Sequence, residues 1–361
     1  MRQYSKMSAF AVYSYCDDDY IKLVPSWSQP RVLSKFDSEL RARWDQAMQD
    51  GVFKYTLDHI RTRILDGPLS LVAQLNVKRA LERRKPQEIS SLCQPFNPKI
   101  FNFTRISQRE ILFVLKRREI GEEDPLGELR KRYQDENIVI VNVSPLEYGN
   151  VLVVPSLGKC LPQILTEDAI NLALETVLLS AHPGFRIGFN SLCAFASVNH
   201  LHFHAYYLEH PLYIEKTPVK KICRHCYEIT EYPTRGFGFQ LGENKLELAR
   251  IMYKVTDYFV RENIAHNLFV TRGSAMEGDT TRQTLRAFLW PRRPVFGAKS
   301  EDLFNTAVCE LAGHLPIKVG DQFDTITEAQ VRNILSEASL SAVDFDKVKL
   351  KVIELLESEG Q

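Results

Sequence analysis

An α+β fold is predicted for this 361-residue chain by three features. Short apolar, strand-like runs come in pairs, helical segments separate those pairs, and Gly- or Pro-containing turns lie where the chain must reverse. The composition, 44% hydrophobic and 25% charged, suffices to fill the core of one large or two ordinary globular domains. With 46 basic and 45 acidic residues the net charge is +1, which argues against a general polyanion binder and leaves room for a small anionic ligand.

The first 34 residues mix Tyr, Ser, Asp and Pro without periodicity and are expected to be irregular. From Ser34 to Asp66 the pattern turns helical, with Phe36, Leu40, Trp44 and Met48 at four-residue spacing, and Gly67-Pro68 breaks it. A short strand over Leu69 to Asn76 then leads into a basic stretch from Lys78 to Pro86. Strands are predicted at Phe101 to Ile106, Glu110 to Leu115, Asn137 to Val143 and Val151 to Val154, the last two joined by a turn holding Pro145 and Gly149. A helix should start at Thr166, whose hydroxyl can cap it, and end at Pro183-Gly184. Two strands follow, Phe185 to Ser191 and Ser197 to Leu208, then a connector over Thr217 to Pro233 and a helix near Asn244 to Arg261. The pair His266 to Thr271 and Leu285 to Trp290, a helix from Ser300 to His314 and two C-terminal helical segments complete the pattern.

No apolar run is long enough for a secretory leader or a membrane span. Seven scattered cysteines, an odd number, fit a reducing compartment, so a cytoplasmic protein is expected. Cys223-Arg-His225-Cys226 looks like half of a zinc site, but no second Cys-x-x-Cys exists to complete four ligands, and no metal is expected there.

The segment SVNHLHFHAYYL (197–208) carries the chemistry. On a strand, His200, His202 and His204 share one face while Leu201, Phe203 and Ala205 point to the core. Three imidazoles so arranged can bind a metal, or they can set a nucleophile and neighbouring donors against a phosphate. A neutral imidazole, with a pKa of about 6.5, is a competent nucleophile. Attack on phosphorus through a phosphoramidate divides one hard substitution into two easier ones. For that the ring must carry its proton on Nδ1, which a backbone carbonyl can enforce. Asn142 and Asn190 could meet a ribose or phosphate or simply satisfy their own turns. Arg272, just after a predicted strand, could reach substrate or form a surface salt bridge.

The alternation His-φ-His-φ-His-φ-φ resembles the signature of the histidine-triad superfamily. VNVSPLEYGNVLVVP (141–155) is similar to its upstream strand–turn–strand, and FNSL (189–192) to its phosphate-side loop. The longer strings QPFNPKIFNFTRI (94–106), ASVNHLHFHAYYLEHPL (196–212), HNLFVTRG (266–273) and FNTAVCELAGHLPIK (304–318) resemble the GDP-hexose phosphorylases, relatives of the galactose-1-phosphate uridylyltransferases. The resemblance runs from about Phe36 to Leu335.

It implies a histidine-triad-like antiparallel sheet with packed helices, duplicated as in the uridylyltransferases: an N-terminal extension (1–95), a histidine-bearing half (96–233) and a second α+β half (234–361). It further implies phosphorolysis, in which GDP-glucose and phosphate give GDP and glucose 1-phosphate, with His202 guanylylated on the way. His200 would supply the orienting carbonyl and neighbouring contacts, and His204 a phosphate contact, although the uridylyltransferases have Gln at that third position. Ser197 stands where the superfamily commonly places a phosphate-contacting Ser, and Asn142 where it places an acidic ribose-binding residue. Arg79, Arg83 and Arg84, in LNVKRALERRKP, resemble an Arg-x-x-Arg-Pro stretch near the nucleotide phosphates, and each could equally belong to a solvated basic face. The implied ligands are a GDP-hexose and inorganic phosphate, without cofactor, nucleic acid or membrane; related enzymes often pair, which makes a homodimer the assembly the resemblance implies, while the sequence leaves the oligomeric state open. Three other activities fit the same residues: a nucleotide-sugar hydrolase, a transferase using another sugar phosphate, and a non-catalytic nucleotide-binding module.

Overall fold

The computed structural model describes residues 10–22, 27, 32–82, 84, 86–118, 136–296 and 304–358. Within the N-terminal stretch expected to be irregular, β1 (Val12–Tyr15) is a regular strand. It pairs in parallel with β4 (Ile111–Arg117), a partner too distant in sequence to be inferred locally. Helix α1 (Lys35–Gln49) begins at Ser34, whose hydroxyl accepts the Asp37 N–H while the Asp37 carboxylate takes the Ser34 N–H. It stops well before Asp66. Gly51 adopts φ +68°, and Val52 N–H bonds back to the Ala47 carbonyl, a Schellman turn that closes the helix. The chain returns as β2 (Arg61–Ile64) and β3 (Val72–Leu75), and a short helix α2 (Val77–Leu81) follows, capped by the Asn76 side chain.

Strands β5 (Asn137–Val141) and β6 (Val151–Val154) form where expected. Helix α3 (Glu167–Leu179) is capped by Thr166, and β7 (Phe185–Asn190) and β8 (Phe203–Tyr207) complete a first unit. The connector over Thr217 to Pro233 holds a hairpin, β9 (Val219–Cys223) and β10 (Cys226–Ile229), and β11 (Phe237–Gln240) follows. Next come α4 (Lys245–Arg261, capped by Asn244), β12 (His266–Ser274) and β13 (Gln283–Pro291).

The first eleven strands other than β2 and β3 join with β12 and β13 in one 11-stranded sheet, ordered β1-β4-β5-β6-β8-β7-β12-β13-β11-β10-β9. The order β4-β5-β6-β8-β7, with α3 between β6 and β7, is repeated as β9-β10-β11-β13-β12, with α4 between β11 and β12. The repeats meet antiparallel at β7 and β12, so the duplication is visible in the topology. A division at residue 233 would cut β10 from β11, with which it is hydrogen-bonded.

Three sequence expectations are corrected. Phe101 to Ile106 is not a strand: Phe103–Arg105 form a 3-10 turn capped by Asn102, whose side chain satisfies the Thr104 N–H. Of the helix predicted over Ser300 to His314, residues 300–303 lie outside the described residues. Only α5 (Val308–Leu311) is helical, and His314 opens β14 (His314–Ile317). That strand pairs in parallel with β3 in a second sheet, ordered β14-β3-β2. Helices α6 (Gly320–Thr325), α7 (Glu328–Ala338) and α8 (Ala342–Glu357) end the chain, three where two were expected.

Period-two alternation divides the large sheet into two buried faces. Leu201, Phe203, Ala205 and Tyr207 pack in the core with α1, α3, α4 and α8. Tyr206 and Leu208 point the other way, into a core shared with β3, β14 and α7. This second face carries the candidate site. Gly188 makes the close approach of α5 possible there, since a Cβ on it would lie 2.8 Å from Val308 Cγ1. No helix among the described residues is long and apolar enough to cross a membrane.

Candidate active site

The strand predicted over Ser197 to Leu208 is regular only from Phe203, so the three histidines do not form one row along a strand. Residues 198–202 are a bent segment tied to its neighbours: Leu201 N–H bonds to the Leu161 carbonyl, and the Asn199 amide donates to the carbonyls of Gln94 and Pro95. His200 is fully buried. Its ring lies 5.3 Å from Phe96 and 5.4 Å from Phe103, and its Nδ1 accepts the Phe103 N–H at 3.2 Å. Burial, reinforced by His202, holds its pKa down at about 4, so it is a neutral packing residue whose ring does not line the cleft.

Its carbonyl has a different place. His202 Nδ1 lies 2.7 Å from the His200 carbonyl and 3.0 Å from Gln163 Oε1. Both partners are acceptors, so Nδ1 carries the proton and the lone pair resides on Nε2. His202 is 3% exposed and its side chain lines a cleft, with His204 at a ring distance of 5.3 Å.

Ser197, Asn190, Asn142, Arg79 and Arg84 all line this same cleft. Asn190 Oδ1 accepts from Asn267 and from the Val308 N–H, which anchors α5 to the strand end. Asn142 takes the Ser144 N–H on its side-chain oxygen and donates to Asn150 Oδ1, so the residue shapes its turn while lining the cleft. Arg79 donates to the Ser144 carbonyl. Arg84 lies 2.5 Å from the nearly buried Glu110 carboxylate and stacks over Phe101. Arg83 lies outside the described residues.

Arg272 is corrected, because the fold does not bring it to this cleft. Its Nη2 sits within 3.3 Å of the carbonyls of Ile21, Val177, Leu178 and Ser180, closing the C-terminal end of α3. Burial lowers its pKa to about 10. Replacing Arg272 by Met should therefore cost about 3 kcal/mol of stability, because it strands those carbonyls, and leave ligand affinity at the histidine cleft unchanged. Urea denaturation and calorimetric titration of the variant check both halves.

Sequence reasoning missed Gln163, and also Asn305, Glu310 and Lys318, which bring charge and hydrogen-bonding groups to the cleft from the far end of the chain. No local spacing signals them. Cys309 also lines the cleft, but its thiol lies 3.0 Å from Glu310 Oε2 and burial pushes its pKa well up, so it is a poor nucleophile. Cys223 and Cys226 are free thiols on facing hairpin positions, and no group of three metal-ligating side chains gathers among the described residues.

The sequence model of the GDPGP1-like N-terminal domain matches residues 35–206, and that of the GDPGP1-like C-terminal domain residues 211–359. The chain belongs to the GDPGP1-like family. Among curated relatives, GDP-D-glucose phosphorylase 1 of Danio rerio is 44% identical over 97% of this chain and 100% of its own length. The Xenopus laevis protein of that name is 43% identical over 95% and 96%. GDP-L-galactose phosphorylase 1 of Arabidopsis thaliana is 33% identical over 90% of this chain and 75% of its own. In fold, this GDPGP1-like chain is similar to yeast Ap4A phosphorylase Apa2 in complex with Ap4A, at a TM-score of 0.56 and 12% identity over 85% of this chain and 97% of that one.

Proposed function

We propose that this chain phosphorolyses a GDP-hexose, with GDP-glucose the substrate that its relatives' names favour. His202 Nε2 attacks the α-phosphorus, the bond to the bridging oxygen breaks, and hexose 1-phosphate leaves as a stabilised anion that needs little acid catalysis. Inorganic phosphate then attacks the guanylyl-histidine, giving GDP and restoring the imidazole. Ser197, His204 and Arg79 are the groups we assign to the phosphate oxygens, where each well-placed donor is worth about 3 kcal/mol in the transition state.

The observation that carries this reading is the acceptor pair on His202 Nδ1, which leaves a nucleophilic nitrogen on a ring lining a cleft that also holds Arg79, Arg84 and Lys318. The seven free cysteines support a cytoplasmic setting. Incubation with GDP-glucose in the absence of phosphate should add the mass of one GMP unit to the peptide bearing His202, and added phosphate should discharge it as GDP. An enzyme that stays unmodified, or whose adduct breaks down to GMP irrespective of phosphate, rejects phosphorolysis.

A further inference from the structure

We infer that Gln163 is the positioning residue that holds the orientation of His202 and, together with the His200 carbonyl, its tautomer, an inference that rests on the nucleophilic role proposed above. Gln163 lies on the segment leading to α3 and is 1% exposed. Every hydrogen bond of its carboxamide goes to the edge of the cleft. Oε1 lies 2.9 Å from the His202 backbone N–H and 3.0 Å from His202 Nδ1. Nε2 donates to the carbonyls of Asn190 at 2.9 Å and of His202 at 3.1 Å.

These partners leave the amide no freedom to flip. A backbone N–H only donates and backbone carbonyls only accept, so the oxygen must face His202 and the nitrogen must face the two carbonyls. With the oxygen held there, a proton on Nδ1 is required and a bare Nδ1 would meet two lone pairs. The His200 carbonyl makes the same demand, and Gln163 in addition grips the His202 main chain and thus holds the ring relative to the backbone that carries it. The amide joins β7, the histidine segment and the approach to α3, so the nucleophile is held to three parts of the fold at once. When Nε2 becomes bonded to phosphorus the ring gains positive charge, and an oxygen already aligned with Nδ1–H stabilises it without rearrangement.

The test compares Gln163→Met, which keeps the length and removes every polar atom, with Gln163→Glu, which keeps the acceptor and adds charge. Nitrogen-15 NMR of the histidine-labelled full chain, without substrate, reads the tautomer and ionisation midpoint of His202. The other titratable and charged groups near the ring are unchanged in sequence in both variants: His200 behind it, and His204, Arg79, Arg84, Glu310 and Lys318 lining the same cleft. Expected are a single Nδ1–H tautomer in the parent, the same tautomer with a lowered midpoint in Gln163→Met, where the His200 carbonyl still accepts from Nδ1 but one acceptor that favours the cation is gone, and a raised midpoint in Gln163→Glu, because a carboxylate favours the cation. The kcat of Gln163→Met should drop about 10–100-fold with KM little changed, as is usual when a supporting partner is lost. An unaltered midpoint in both variants overturns the inference, whatever happens to activity. Should Gln163→Met fail to fold, the midpoint of Gln163→Glu decides. Because the NMR readout involves no turnover, a correctly held His202 in a chain without phosphorolysis would count against the proposed reaction and not against Gln163.

Discussion

Substituting Asn for His202 should reduce phosphorolysis at least about 10⁴-fold while GDP still binds within a few-fold of the parent. The size of the loss follows from chemistry. Without the imidazole there is no group to form the covalent intermediate, and direct attack of phosphate on the nucleotide would have to overcome repulsion between two anions. The surrounding frame should survive, because the carbonyls and amides around residue 202 are held by Gln163, Leu161 and Asn199 as well as by the ring. Single-turnover assays with labelled GDP-glucose, alongside equilibrium binding of GDP, separate the two quantities. Turnover surviving within tenfold of the parent would mean that another group attacks phosphorus, and His204, whose ring lies 5.3 Å from that of His202 in the same cleft, would be examined first.

Acid should destabilise the fold steeply below about pH 6.5. Burial holds the pKa of His200 and His266 at about 4 and that of His314 at about 3. Their environments explain why. His266 packs against Phe189 and Phe259, and His314 donates from Nε2 to Gln74 while Nδ1 faces the Tyr206 hydroxyl. A group whose folded pKa is depressed binds its proton more readily once unfolded, so its stabilisation is complete above about pH 6.5 and is lost as pH falls toward the folded value. At about pH 5 each of the three costs about 2 kcal/mol relative to neutral pH, roughly 6 kcal/mol together. Glu136, Glu147 and Glu215, whose carboxyls burial holds above their usual range, act in the opposite direction and soften the slope. Urea midpoints measured between about pH 7 and 5 should fall throughout, and His314→Gln should remove about a third of the histidine contribution. A flat profile would show that these rings are not held neutral by burial.

Much of the framework is legible in the linear chain because its causes are short-range. Ser34, Thr166 and Asn244 cap helices through bonds to residues two or three positions away, and each was identifiable from residue type and the apolar pattern that follows. Alternation likewise placed Leu201, Phe203 and Ala205 in the core. The same alternation does not make a strand of 197–202, although Leu201 keeps its place in the core. Those residues are bent because Asn199 and Leu201 spend their hydrogen bonds on segments about residues 94, 95 and 161 instead of on a neighbouring strand. His200 therefore contributes a carbonyl to the site and its ring to the packing.

By itself the sequence determined the α+β class and most strand and helix positions, since periodicity and capping act within a few residues, and it singled out His202 as the proposed chemical centre. Tertiary structure alone decided what surrounds that centre. Gln163 reaches His202 across 39 positions, Val308 docks on Asn190 across 118, and Arg272 serves a helix end more than 90 residues away. Such contacts are set by how the duplicated sheet and its covering layer pack, and an isolated stretch of chain carries no trace of them.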